Sequence, residues 1–333
     1  MMKERITERN TILRRILLVC AVVVILGILL GLLRMWELRR VGEQGGTEDT
    51  EEYLWYDGEA YALRRRVETL LVIGLDTFED DAERSGYTND LRADFLLLLV
   101  FDHQNKTCTA VHLNRDTMAE IAVLGIGGKK VGTVTEQLAL AHTYGSGKED
   151  SCRNTARAVS ELLGGISVTH YMSVTMDAVA VVNDAVGGVT VTVADDLSMF
   201  DPALEKGATV TLQGQQALTY VRSRQGLAES TNEARMARQR QYMEALYEAA
   251  KAKRAGGEDI SMDTLLKITE YTVTDSNTAK LDQLLDAVDE YGLYEIHPIE
   301  GETREGERFM EFIPDESALM RLVLDLFYEP VSE

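Results

Sequence analysis

The sequence predicts an α/β fold built in layers, preceded by one N-terminal membrane helix. Short apolar runs typical of buried strands alternate with stretches of helical periodicity. One long uncharged apolar segment stands before them. Of the 333 residues, 45% are hydrophobic and 27% charged, values typical of a globular protein with a substantial core. We find no internal repeat and therefore expect one folded domain.

The apolar segment 16–33 predicts an uncleaved transmembrane anchor, because a helix needs roughly eighteen residues to cross a bilayer. A signal peptide would have a shorter apolar stretch and end at small residues, whereas Arg34 follows here. More basic residues precede the segment than follow it, which favours a cytoplasmic tail at residues 1–15. The expected location is the cell membrane, single-pass. Residues 34–66 are expected to be a linker, with no stable fold from residue 41 to about 58, and residues 67–333 the extracytoplasmic domain.

The elements of the domain follow from the pattern in order. Apolar runs at residues 69–73, 95–101 and 107–113 predict three buried strands. Helical periodicity then predicts helices at 134–144, 151–163, 176–186, 213–222 and 233–253, with strands at 169–174 and 189–193. The remainder predicts helices around Leu265, Leu281 and Leu319 and a strand at 294–299.

Six arginines occur in four short clusters that lie far apart in the chain. The formal net charge is −21, and an acidic chain that gathers guanidinium groups beside carboxylates is expected to bind a specific anion. A guanidinium fits phosphate oxygens two at a time, so we predict a pyrophosphate site. The clustered arginines are Arg92, Arg115, Arg222, Arg224, Arg235 and Arg238.

Carboxylates near the same strand ends predict a metal site. Asp76 follows one apolar run and Asp94 precedes the next, and strand ends meet in a common crevice in layered α/β folds. Such carboxylates are expected to bind a divalent metal that bridges phosphates. The alternative is that these charges are paired locally on the surface, which is our interpretation of Arg240 and Arg254.

The sequence lacks the motifs of a P-loop nucleotide site and of a zinc site. The glycine-rich stretch 125–129 does not have P-loop spacing, and the five histidines show no zinc-site spacing. Cys108 and Cys152 are expected to be buried free thiols rather than a disulfide. The acidic charge and the membrane segment argue against binding of nucleic acid.

Several ordered motifs resemble those of the LytR-CpsA-Psr family of membrane-anchored phosphotransferases; they occupy residues 74–76, 92–94, 115–117, 187–191, 214–224 and 235–239. The resemblance implies a three-layer α/β/α sandwich around a mixed central sheet, with an apolar tunnel for a polyprenyl tail. It also implies transfer of a glycopolymer from a polyprenyl-pyrophosphate carrier to a peptidoglycan hydroxyl, forming a phosphodiester. The polymer, whether teichoic acid, capsule or another glycan, cannot be read from the sequence.

The resemblance also assigns residues. It implies that Asp76 and Asp94 bind Mg²⁺ or Mn²⁺. Arg92, Arg115, Asp116 and Asn232 are the predicted catalytic residues. The pyrophosphate is expected to contact Arg92, Arg115, Arg222, Arg224, Arg235, Arg238 and Gln239.

Two positions depart from the family pattern. Asn114 stands where proline is usual, and Asn232 where aspartate is common, three residues before Arg235. If that aspartate assists deprotonation of the acceptor, Glu229 or Glu233 must substitute. The alternatives are a non-catalytic binder or sensor of lipid-linked wall precursors, and a pyrophosphatase or a transferase with another acceptor.

Overall fold

A computed structural model describes residues 53–75, 91–125, 128–224, 231–257 and 261–331. The predicted tail, the predicted anchor at 16–33 and Asp76 lie outside these residues. Within the described ranges, no helix is both long and apolar enough to cross a membrane.

The first of two compact units ends at Ala62 and contains a hairpin. Strands β1 (Leu54–Tyr56) and β2 (Glu59–Leu63) pair antiparallel. The turn residues Asp57 and Gly58 have φ of 50° and 82°, as a type I′ turn requires. The expectation that residues 41 to about 58 have no stable fold is therefore wrong for β1 and the turn that follows it, for which the aromatic residues and the Asp-Gly pair were the available signal.

The second unit contains thirteen strands and seven α-helices among the described residues. The strands are β3 (Val67–Leu75), β4 (Ala93–Asp102), β5 (Thr107–Leu113), β6 (Met118–Leu124), β7 (Lys130–Gln137), β8 (His170–Thr175), β9 (Val189–Thr192), β10 (Thr209–Leu212), β11 (Thr272–Thr274), β12 (Leu293–Pro298), β13 (Gly301–Glu305), β14 (Met310–Pro314) and β15 (Tyr328–Pro330). The helices are α1 (Lys148–Leu162), α2 (Asp177–Ala185), α3 (Gln215–Arg222), α4 (Asn232–Ala255), α5 (Ser261–Ile268), α6 (Thr278–Tyr291) and α7 (Glu316–Phe327).

A six-stranded mixed sheet forms the centre of this unit, in the order β11-β8-β3-β4-β5-β12. Strand β3 is parallel to β8 and β5 is parallel to β12, whereas β4 is antiparallel to both of its neighbours. The expected mixed α/β architecture with a mixed central sheet is therefore confirmed.

Helices pack against both faces of the sheet because successive β3 side chains alternate between them. Leu71 and Ile73, both 0% exposed, share one apolar cluster with residues of α1 and α7. Leu70 belongs to a different cluster, which includes residues of α2, α5 and α6. Cys108 and Cys152 are buried free thiols, as predicted.

One predicted helix is wrong. Residues 134–144 instead comprise the end of β7 and a 3₁₀ helix, Leu138–His142. Strand β7 pairs antiparallel with β6, and its β-branched residues Val131, Thr133 and Val134 favour a strand over a helix. The N–H and C=O groups of β7 are hydrogen-bonded by pairing with β6, a partner that the local sequence pattern does not indicate.

Candidate active site

The site begins where β3 ends and β4 starts. Leu75, the last residue of β3, pairs with Ala93, which lies between Arg92 and Asp94. The carbonyl of Leu91 is 2.9 Å from Nδ1 of His142 on the 3₁₀ helix, so the approach to β4 is fixed by a buried hydrogen bond. Asp76 directly follows Leu75 in the chain and lies outside the described residues.

Arg115 joins the start of β4 to the exit of β5. Its Nη1 hydrogen-bonds to the carboxylate of Asp94, and its Nε lies 3.3 Å from Oδ1 of Asp116. The side chain of Arg115 is 12% exposed, so this ion cluster is largely shielded from solvent. Arg115 therefore brings together two of the motifs that the sequence singled out.

Arginines of distant motifs affect the pKa of Arg115. Burial lowers the pKa of Arg115 to about 10, an effect that Asp116 opposes and that Arg235, Arg224 and Arg92 reinforce by repulsion. Four arginines from the β4 start, the β5 exit, the segment after α3 and the first turns of α4 thus share one electrostatic environment. The assignment of Arg92, Arg115, Arg224 and Arg235 to one pyrophosphate site stays a prediction.

Asp116 is buried beneath this arginine cluster. Burial raises its pKa, Glu233 raises it further, and Arg115, Arg235 and Arg224 oppose the rise. Nε2 of Gln137 donates to Oδ1 of Asp116 at 2.8 Å. The carboxylate is therefore held in place by β7 as well as by Arg115.

Asn114 and Asn232 connect the β5 exit to the start of α4. Nδ2 of Asn232 donates to Oδ1 of Asn114 at 2.8 Å, and Nη2 of Arg235 donates to Oδ1 of Asn232 at 2.7 Å. The backbone N–H of Asp116 also donates to Oδ1 of Asn114, at 2.9 Å. The two positions that depart from the family pattern are thus in direct contact.

Arg238 has a different position from the other arginines. It is 1% exposed, and its Nε donates to the carbonyl of Tyr220 at 3.2 Å. Its two terminal nitrogens contact the carbonyl of Ser223 and the carboxylate of Asp195. The guanidinium of Arg238 therefore holds the exit of α3, from which Arg222 and Arg224 extend.

An apolar cavity of about 150 Å³ lies among the elements that carry the site residues, since β3, β4, β8, α2, α3 and α4 contribute to its lining. Its lining includes Gly74, Phe95 and Gln239, and Nε2 of Gln239 donates to the carbonyl of Val221 at 3.2 Å. A Cβ at Gly74 would lie 2.8 Å from Cβ of Phe95, so glycine is needed there.

A second apolar cavity of about 320 Å³ lies between the sheet and helices α2, α4, α5 and α6. Met243 on α4 lines both cavities. Lys251, Arg254 and Asp289 line the second cavity as well, so charged groups stand at one part of its wall. The two cavities are neighbours along α4, starting from Gln239 at the site.

The chain matches the LytR_cpsA_psr family over residues 48–319, most of its length. It belongs to the LytR-CpsA-Psr family.

Related curated proteins are named polyisoprenyl-teichoic acid–peptidoglycan teichoic acid transferase TagU. The protein from Halalkalibacterium halodurans is 29% identical over 54% of this chain and 51% of its own length. The Enterococcus faecalis protein is 28% identical over 47% of this chain and 45% of its own. The chain thus spans about half the length of the curated relatives it matches.

Solved structures share the fold of this family member. A Streptococcus agalactiae protein has a TM-score of 0.64 at 20% identity, covering 78% of this chain and 86% of its own. A structure described as TagT bound to LI-WTA has a TM-score of 0.57 at 22% identity, covering 79% and 90%. B. subtilis TagV has a TM-score of 0.56 at 23% identity, covering 79% and 96%.

In this LytR-CpsA-Psr protein, the described residues contain no group of three or more His, Cys, Asp or Glu side chains arranged to bind a metal. Of the predicted metal pair, Asp94 is described and its carboxylate contacts Arg115. Asp76 lies outside the described residues. The metal assignment stays a prediction.

Sequence reasoning missed Gln137 and the β13–β14 hairpin. Gln137 donates to the carbonyl of Met310 at 2.8 Å as well as to Asp116, and the N–H of Phe312 donates to the carbonyl of Asp116 at 2.9 Å. These contacts join residues far apart in the chain. No local pattern in the sequence indicates them, since Gln137 was placed in a helix that the structure replaces with a strand.

Proposed function

We propose that this protein transfers a glycopolymer from a polyprenyl-pyrophosphate carrier to a hydroxyl group of peptidoglycan, forming a phosphodiester. The observation that carries the proposal is the shielded cluster of Arg115 with Asp94 and Asp116, which hydrogen bonds through Asn114 and Asn232 connect to Arg235. An apolar cavity lies among the elements that carry these residues. Such a site matches a ligand with an anionic head and a long apolar tail. The names of the TagU relatives support this assignment.

The arginine cluster is suited to a pyrophosphate because its charges repel one another in the unbound protein. The lowered pKa of Arg115 reflects burial and the nearby cations. A bound pyrophosphate offsets that repulsion, and each guanidinium can donate two hydrogen bonds to phosphate oxygens. We assign Arg222, the last residue of α3, to this group.

The two apolar cavities are suited to the polyprenyl tail. Each buried CH₂ group contributes roughly 0.8 kcal/mol, so a tail within the cavities contributes much of the carrier's affinity. Gln239 lines the first cavity near the arginines, and Met243 lines both cavities. The tail thus extends along α4 from the head-group site.

The reaction needs positioning and charge neutralisation more than covalent chemistry. The acceptor hydroxyl oxygen attacks the phosphorus that carries the glycan, and its proton passes to a carboxylate. The bond from that phosphorus to the bridging oxygen breaks, and polyprenyl phosphate leaves with its charge stabilised by the arginines. We assign the proton acceptor to Glu233, which is exposed in the first turn of α4 and close enough to raise the pKa of Asp116.

Mg²⁺ or Mn²⁺ is the proposed cofactor, with Asp76 and Asp94 as its protein ligands. The donor chemistry fits, since Mg²⁺ prefers carboxylate and phosphate oxygens and often takes only one or two carboxylates from the protein. The pairing of Leu75 with Ala93 brings the neighbours of both aspartates together. Bound there, the ion would neutralise charge on the phosphate oxygens.

The substrates imply a location at the outer face of the cell membrane. The anchor predicted at residues 16–33 would hold the domain beside both the lipid carrier and the wall. The relatives' names favour teichoic acid over capsule as the polymer.

The test combines the purified full chain, a lipid-linked glycan donor, Mg²⁺ and peptidoglycan. We expect glycan on the peptidoglycan and release of polyprenyl phosphate in equal amounts. Arg115→Ala should lower kcat/KM by roughly 100-fold or more, in line with the loss of one preorganised charge donor. Arg153→Ala is the matched control, because Arg153 is exposed on α1 and should not affect turnover.

Different outcomes identify the alternatives. Release of polyprenyl phosphate without glycan attachment indicates a pyrophosphatase or another acceptor and contradicts the ligase proposal. Binding of the donor without any release indicates a sensor. Circular dichroism of Arg115→Ala separates loss of chemistry from loss of folding.

A further inference from the structure

The contact between Asn114 and Asn232 assigns a role to the residues at which this chain departs from its family. We propose that the two asparagines are positioning residues that fix Arg235 relative to Arg115 and Asp116, and that residue 232 takes no proton. The inference rests on the proposed function, because the groups it aligns are those that would bind the pyrophosphate.

The side-chain amides of Asn114 and Asn232 can each be oriented, because each faces a nitrogen that can only donate a hydrogen bond. The backbone N–H of Asp116 lies 2.9 Å from Asn114, so the facing atom of Asn114 must be its oxygen. Nη2 of Arg235 lies 2.7 Å from Asn232, so the facing atom of Asn232 must be its oxygen as well. The NH₂ group of Asn232 is then left to donate to the Asn114 oxygen, at 2.8 Å.

Burial makes this arrangement costly to change. Asn114 is 3% and Asn232 is 6% exposed, so water does not readily replace a lost partner. The pair forms a continuous path from the guanidinium of Arg235 on α4 to the backbone of Asp116 after β5. It therefore sets the spacing between two arginine motifs that are distant in the chain.

The path predicts a specific effect of Asn232→Asp. This variant would place a carboxylate oxygen 2.8 Å from the Asn114 oxygen, where two acceptors repel. Asn114 accepts both of its hydrogen bonds through this one oxygen, so it cannot turn a donor toward residue 232 without losing the bond from the N–H of Asp116. The pair thus has a direction, from donor on Asn232 to acceptor on Asn114.

Kinetics of the full chain against pH test the proposal, with the lipid-linked donor and peptidoglycan as substrates. We expect Asn232→Asp to lower kcat/KM about tenfold at neutral pH, because about one hydrogen bond between neutral groups is lost. The deficit should shrink as pH falls, because a protonated aspartic acid can again donate to Asn114. Asn277→Asp is the matched control, because Asn277 caps α6 and aspartate caps a helix equally well, so kcat/KM should stay unchanged. Activity of Asn232→Asp at or above the parent, rising with pH, would show that residue 232 accepts a proton and would overturn the proposal.

Two further measurements do not depend on turnover. Urea unfolding of Asn114→Ala, Asn232→Ala and the double variant should be non-additive, the double variant losing less stability than the sum of the two. Strict additivity would mean that the pair makes no interaction, which contradicts the inference. Calorimetric binding of geranylgeranyl pyrophosphate should weaken in Asn232→Asp and persist in Asn277→Asp. If the parent chain neither binds this probe nor transfers glycan, the proposed function fails, while the unfolding cycle still tests the pair.

Discussion

At the scale of single residues, Arg115 is a buried charge that two carboxylates hold in place. Its pKa of about 10 is lowered by burial, yet it stays well above neutral pH, so the guanidinium remains charged. Asp94 and Asp116 offset the cost of burying that charge. A charge that is held before the substrate arrives needs no reorganisation during the reaction, which is how preorganised sites lower barriers.

A second charged residue, Glu68, lies outside the site at the start of β3 and should govern stability in acid. Its carboxylate contacts Nε2 of His103 at 3.0 Å, Nε2 of His170 at 2.8 Å and Nζ of Lys280 at 2.6 Å. Burial raises the pKa of Glu68, but the hydrogen bonds from Lys280, His103 and His170 outweigh it and lower the pKa to about 2. The carboxylate therefore stabilises the fold only while it is ionised.

We expect Glu68 to contribute stability above pH 4.5, its ordinary pKa, and to lose that contribution as pH falls through about 2. Glu68→Gln should reduce the free energy of unfolding by about 1–2 kcal/mol at neutral pH, after allowance for solvent screening. It should also flatten the fall in stability with acid, as measured by urea unfolding at several pH values. Glu290→Gln is the control, since Glu290 pairs with Lys106 on the surface. An unchanged acid slope in Glu68→Gln would show that other groups cause the loss.

At the scale of elements, the exit of α3 depends on α4 through Arg238. All three donor nitrogens of Arg238 contact the α3 exit or Asp195. Arg238→Ala should destabilise the fold by about 3–5 kcal/mol, because it leaves Asp195 and two carbonyls without their partner. It should also weaken donor binding, since Arg222 ends α3 and Arg224 follows two residues later. Arg157→Ala on α1, where Arg157 is exposed, should change neither.

Thermal unfolding and donor binding measure the two effects of Arg238→Ala separately. Lost binding with unchanged stability would mean that Arg238 contacts the pyrophosphate itself, as the family resemblance implied. Lost stability with binding retained in the folded fraction would mean that the α3 exit does not position the arginines.

Elements with a strong local signal were predictable, and elements that depend on distant partners were not. The strand predicted at 107–113 matches β5, and the helix predicted at 213–222 closely matches α3. Strand β10 was missed because its four residues form a strand only by pairing with β9. The segment containing β7 was assigned to a helix because its apolar residues fit a helical period when β6 is ignored.

At the scale of the whole molecule, the chain has a net charge of −21 yet carries several arginines in short motifs. The arginine motifs were recognisable in the sequence because guanidinium groups are unusual beside apolar strand ends. The residues that these arginines contact were not recognisable in the sequence. The hydrogen bond between Asn232 and Asn114, for example, joins positions that only the packing of the sheet and α4 brings together. The separate role of Arg238 was hidden for the same reason: its spacing from Arg235 places both early in α4, but only tertiary contacts show what each one meets.

The cavities make a prediction that involves the whole molecule, because residues of α4 from Gln239 to Arg254 line them. Met243 lines both cavities, so Met243→Trp should obstruct a tail that occupies both. Binding of a long polyprenyl pyrophosphate should weaken by about tenfold or more, since excluding even two CH₂ groups costs roughly 1.6 kcal/mol. Geranyl pyrophosphate, whose short tail needs only the first cavity, should bind nearly as well as to the parent. Met243→Leu keeps the volume and serves as the control. Equal weakening for both chain lengths would place the tail elsewhere, whereas a dependence on chain length supports one path from the arginines to the second cavity.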